Sequence, residues 1–207
     1  MVLRVLPRVA LAGAAIAAAG PALAHHAMDG ETPTTLAQGF LSGLAHPVIG
    51  PDHLAFVVGI GILSAFLRRG WALPAIFLLA GAFGTALHLG GIGVPGAELL
   101  VALSVLLAGI AVWLNARTPL AIAAVLCGFG GLVHGYVQAE SIAGAEPSPL
   151  GAYLAGLALV QLGIALGARE ATRRLVQLRP VMAPRLTMAA SATVALVGIA
   201  ALPLWGG

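Results

Sequence analysis

Gly43-Leu-Ala-His46-Pro47-Val48-Ile49-Gly50-Pro51-Asp52-His53-Leu-Ala-Phe-Val-Val-Gly-Ile-Gly61 is the stretch that decides the fold of this chain. Its segment His46–His53 holds two histidines, an aspartate, two prolines and a glycine, and apolar sequence follows at once. On an unbroken helix His46 and His53, two turns apart, would share a face. Continuity is not expected. Pro47 disfavours the helical region for His46, a glycine such as Gly50 costs about 1 kcal/mol against alanine, and Pro51 suits the first turn of a new helix. The reading is a broken membrane helix: one half over residues 36–46, a short unwound link, and a second half from Pro51 to Leu67. Such breaks line sites rather than lipid. Two imidazoles and a carboxylate there suit a divalent metal.

Composition places the rest of the chain around that helix. Of 207 residues 60% are hydrophobic and only 8% charged, with a mean hydropathy of +1.03, which excludes an ordinary soluble domain. Residues 25–207 read as a single integral membrane domain. The basic balance does not imply nucleic-acid binding. Arg4 and Arg8 fall in a leader, leaving eight arginines against seven acids and a net charge near +1. The lone cysteine, Cys127, sits in an apolar run and builds no disulfide framework.

Residues 1–24 carry a basic start, a short apolar core and Ala22-Leu23-Ala24, the pattern of a cleaved signal peptide; an uncleaved first helix is the alternative. Cleavage after Ala24 would expose His25 and His26 as a metal-capture point, or as a mobile terminus with no role. Beyond the broken first span, apolar runs over 71–89, 98–114, 120–135, 150–168 and 186–204 give an all-α polytopic bundle of about six transmembrane helices. With the mature N-terminus periplasmic, the cytoplasmic connections are 68–70, 115–118 and 169–185. Those three hold all eight remaining arginines, as the positive-inside rule requires. Trp71, Trp113 and Trp205 read as interface anchors.

The same topology sorts the other polar residues. His46, Asp52 and His53 lie in the outer half of span one, His88 ends span two, Glu98 opens span three, and His134 ends span four with Glu140 just beyond. Each has a plain structural alternative: a hydrogen-bonded kink, an interfacial histidine, or a first-turn acid on the helix dipole. Together they read as one metal constellation at the periplasmic end, with neutral imidazoles as ligands and carboxylates offsetting charge or orienting rings.

His46-Pro47-Val48-Ile49-Gly50-Pro51-Asp52-His53 resembles the H-P-x-x-G-x-D-H signature of the HupE/UreJ family of bacterial membrane proteins. Val94-Pro95-Gly96-Ala97-Glu98 with Ser104, and His134-Gly135-Tyr136 through Glu140 to Pro147, are similar to further elements of that family. Val133, Gln138 and Ala139 depart from its second motif. The resemblance implies a secondary permease or facilitator for Ni²⁺, with Co²⁺ as the alternative, in the inner membrane, supplying hydrogenase or urease maturation proteins. On this reading His46, Asp52 and His53 form the central site, His134 is the next ligand, His88, Glu98 and Glu140 support, and His25 and His26 guard the mouth. A thiolate-free nitrogen and oxygen site also admits Zn²⁺ and Cu²⁺. The sequence has no G-x-x-x-x-G-K-[ST] loop and so no evident ATPase. An enzyme is not expected. The rivals are an intramembrane zinc hydrolase, for which Ser42, Ser64 and Ser104 supply no evident substrate-orienting set, and a non-transporting metal-binding accessory protein.

Overall fold

The computed structural model describes residues 32–202; the signal peptide, His25, His26 and Trp205 lie outside the described residues. The chain starts with a capping box: Thr35 Oγ1 accepts the Gln38 amide and Gln38 Oε1 accepts the Thr35 amide. From there α1 runs Leu36–Ile49 and α2 Pro51–Phe66. They are followed by α3 (Leu73–Leu89), α4 (Ala97–Leu114), α5 (Leu120–Gln138), α6 (Pro147–Leu178) and α7 (Ala183–Ala200). Five helices are long and apolar enough to cross a membrane, six crossings if α1 and α2 count as one; these two meet at 79°. The protein is a multi-pass helical membrane bundle.

The break falls where glycine and proline act together, at Gly50, not at His46. Pro47 is carried inside α1. It brings no N–H to the Gly43 carbonyl, and Pro51 brings none to the Pro47 carbonyl, so the ladder loses two bonds around one short stretch. Gly50, in extended conformation, then serves as the N-cap of α2, with Pro51 in its first turn.

Small residues set the helix pairs and their directions. A side chain at Gly39 would strike Pro149, at Gly43 the backbone of Tyr153 and Leu157, and at Gly61 the backbone of Ala165. The chain therefore advances along α6 through α1 and then α2. The contacts travel from residue 149 to 165, roughly 24 Å at the α-helical rise. That is one crossing in two halves, laid on a single continuous helix of 32 residues. Gly131 packs on Phe77 and Gly135 on Gly81, so α3 and α5 are parallel. Gly109 packs on Ala195 and Gly198 on Leu106, so α4 and α7 are antiparallel. These directions are what strict alternation of six crossings demands, and they gather the arginine-bearing connections at one end. Leu67–Arg69 and Thr118–Leu120 there line a common cleft.

Helix α2 is the axis of the bundle. Phe56, Val57, Ile60 and Leu63 are at most 1% exposed and share a core with Phe77, Val105 and others from α3 to α7. Leu79, Phe83, Ile122, Val125 and Leu159 are 58–74% exposed, the apolar outer face that a bilayer covers. Trp71 and Trp113 stand exposed near the arginine end, as interface anchors do.

The fifth span corrects the expectation of a loop over 169–185. Helix α6 continues to Leu178 and α7 starts at Ala183. Arginine, alanine, glutamate and leucine are strong helix formers, and Arg174 Nε donates to Glu170 Oε1 one turn back at 2.7 Å. The charged stretch therefore continues the helix and does not end it. The fourth span likewise runs past Gly135 to Gln138, because Gly135 serves packing there, not helix termination.

Candidate metal centre

Three histidines come together at the break from three helices. His46 lies in the last turn of α1, His53 in the first turn of α2 and His134 near the end of α5; their exposures are 4%, 1% and 0%. Ring centroids of His46 and His53 are 5.4 Å apart, and those of His53 and His134 4.9 Å. His53 Nδ1 and His134 Nδ1 are hydrogen-bonded at 2.7 Å. Phe56 and Phe77 form an apolar wall against His134, with centroids 4.6 and 6.1 Å away, and Tyr153 meets His46 edge-on at 6.2 Å.

Local sequence explains each placement. His134 reaches the centre because Gly130 sits under the Phe56 ring and Gly135 rests on the Gly81 backbone. Thr85 Oγ1, donating to the Gly135 carbonyl at 2.9 Å, ties α3 to that turn. A methyl group at Gly50 would stand 2.8 Å from Cδ2 of His53 and 3.3 Å from Oδ1 of Asp52. The residue at the break is therefore glycine by close approach. Half-buried Asp52 is the acid in the first turn of α2, and its Oδ1 accepts the His53 amide at 2.8 Å. A carboxylate at that end is favoured by the helix dipole and places negative charge beside the imidazoles.

The wider constellation is only partly gathered. His88 is half-buried on α3 against the ring of Tyr136, with centroids 4.7 Å apart, and its Nδ1 finds no hydrogen-bond partner among the described residues. Tyr136 in turn accepts the Val94 amide at 3.0 Å. Glu98 and Glu140 are exposed at helix ends, outside the imidazole cluster. The physical reason is cost: a carboxylate free to reach water at the interface stays there. Among the described residues, no three or more His, Cys, Asp and Glu side chains are poised to hold a metal ion. One nitrogen of His53 is instead engaged by His134.

Three further contributors take their roles from the packing. Ser104, fully buried on α4, lies 2.9 Å from His134 Nε2. Tyr153, fully buried, donates to the Gln138 carbonyl at 2.9 Å and contacts Ser141 at 3.0 Å. Gln161 Nε2 donates to Gln138 Oε1 at 3.1 Å, and Gln138 Nε2 has no partner among the described residues. Gln161→Leu is expected to cost roughly 1–3 kcal/mol by stranding the Gln138 amide. The double change to leucine should cost less than the single one, read as thermal unfolding in detergent.

The family model described as HupE / UreJ protein matches residues 13–201. Protein HupE of Rhizobium leguminosarum bv. viciae is 35% identical over 104 residues, covering 49% of this chain and 54% of that protein. The match thus spans about half the length of each. No solved structure matches the chain.

Proposed function

We propose that this chain, which belongs to the HupE/UreJ family, is a permease that admits Ni²⁺ across the bacterial inner membrane, Co²⁺ being the alternative cargo. The observation that carries the reading is the row His46–His53–His134, buried at the break of a membrane-crossing helix with Asp52 beside it. Neutral nitrogen donors with one carboxylate suit a borderline dication, and the Irving–Williams order predicts that Cu²⁺ binds at least as well in vitro. A donor set short of a closed cage fits conduction, since a permeating ion must leave as well as enter. His88, Glu98 and Glu140 would serve entry or support, and His25 and His26 capture. We assign the protein no chemical step, and place hydrogenase or urease maturation proteins downstream of the metal.

The orientation that fits puts the arginine-rich end in the cytoplasm and the mature N-terminus outside. Cys127 is fully buried, so a single introduced thiol can be read against little background. Ser148→Cys is expected to react with an impermeant maleimide in intact cells, and Met182→Cys only after the membrane is opened. The reverse pattern would invert the topology. For function, Asp52→Asn removes the charge but keeps the shape. Cells expressing it should lose most nickel uptake at unchanged protein level; uptake equal to wild type would remove Asp52 from the path.

A further inference from the structure

Three contacts behind His53 locate its ring proton. Ser104 Oγ lies 2.7 Å from the Val101 carbonyl oxygen and 2.9 Å from His134 Nε2. A carbonyl oxygen only accepts, so two oxygens this close require the hydroxyl proton between them. Ser104 then has only lone pairs to offer His134, and His134 Nε2 must carry an N–H. A neutral imidazole has one ring proton, so His134 Nδ1 bears a lone pair. His53 Nδ1, 2.7 Å away, is therefore the donor. The lone pair of His53 is on Nε2. Donation runs one way, from His53 through His134 and Ser104 to the Val101 carbonyl, and each bond polarises the next.

From this we infer that His134 and Ser104 are positioning residues that hold His53 in the tautomer presenting Nε2 to the incoming dication, with His134 standing behind the ligand and not beside it. The inference deepens the permease reading and rests on it for the identity of the ion. Geometry supplies the direction. Cδ2, the carbon bonded to Nε2, is the His53 atom closest to where a Gly50 side chain would begin. The Cδ2 side of the ring therefore lies against the glycine of the helix break, while Nδ1 faces α5. Metal-binding histidines normally donate their other N–H to an acceptor that fixes the ring and raises its basicity, and losing that acceptor costs roughly 10- to 100-fold in metal affinity. Here the acceptor is a second imidazole anchored by a hydroxyl.

The test uses the purified full chain, metal-free, with isotopically labelled histidine ring nitrogens. Nuclear magnetic resonance is expected to show His53 protonated on Nδ1 and His134 on Nε2. In Ser104→Ala the His53 signal should move toward the opposite tautomer, and Ser104→Thr, which keeps the hydroxyl, should restore it. Wild-type His53 protonated on Nε2 would overturn the inference. Equilibrium dialysis with nickel chloride gives the second readout. His134→Asn, whose amide oxygen can replace Nδ1 as acceptor, should bind nickel clearly better than His134→Leu, which should lose roughly 10- to 100-fold. Equal losses in the two would make His134 a ligand and overturn the inference. Wild-type protein that has the stated tautomers but binds no nickel would support the proton assignment and sink the permease reading.

Discussion

Replacing His53 with alanine is expected to abolish nickel entry, reducing it to the level of cells without the protein, while the bundle still folds. His53 is the point through which every element of the site passes. It is 1% exposed, it stacks near His46, and its Nδ1 bonds His134. Its Cδ2 edge lies over the glycine that allows the helix to break. The change removes a ligand and the donor to His134 together, so its effect should exceed the roughly 10- to 100-fold cost of losing a supporting residue alone. The Phe56 and Phe77 wall and the glycine contacts of α5 remain, so the fold should persist. His88→Ala is the informative companion. His88 packs on Tyr136, apart from the imidazole row, and its loss should lower uptake only several-fold. Equal losses at the two positions would move the entry point to His88.

The second large effect concerns folding. Gly135→Val is expected to prevent recovery of folded protein, because the new side chain would drive into the backbone of Gly81. Overpacking a core that can shift costs about 1–3 kcal/mol. Here the obstacle is main chain on a parallel partner helix, and no rotamer avoids it. The clash would part α3 from α5 and carry His134 off its contacts with His53 and Ser104. Gly163→Ala is the control: a methyl group there meets nothing within 4 Å. Thermal unfolding in detergent should separate the two variants widely, and a Gly135→Val protein melting like wild type would refute the close packing of α3 on α5.

What the sequence disclosed follows from which forces act locally. The bundle, the bent first crossing and the arginine-bearing end were legible because hydropathy, proline chemistry and charge are properties of short stretches. His46, Asp52 and His53 were legible for the same reason: polar groups at membrane depth need a partner or a ligand. The exact break was not, since Pro47 alone does not end a helix that packs through Gly39 and Gly43 on α6. The length of α6 is not legible from its arginines, which suit a polar connection and a helix alike. Ser104 is legible only as a companion of the Val94–Glu98 stretch; its role comes from α5, and nothing in the sequence states which residue of α4 faces His134. Glu98 and Glu140 share an end of the bundle with the histidines but stay outside the buried cluster, a distinction only tertiary packing makes.

The most direct test of the permease reading is nickel flux into sealed liposomes containing the purified protein, followed over time beside empty liposomes and the Asp52→Asn variant. Entry that saturates with nickel concentration is expected in the wild type, falling near the empty-liposome level in the variant. Wild-type liposomes that bind nickel at their surface but admit none would contradict that reading and leave a metal-binding accessory protein in place of a permease.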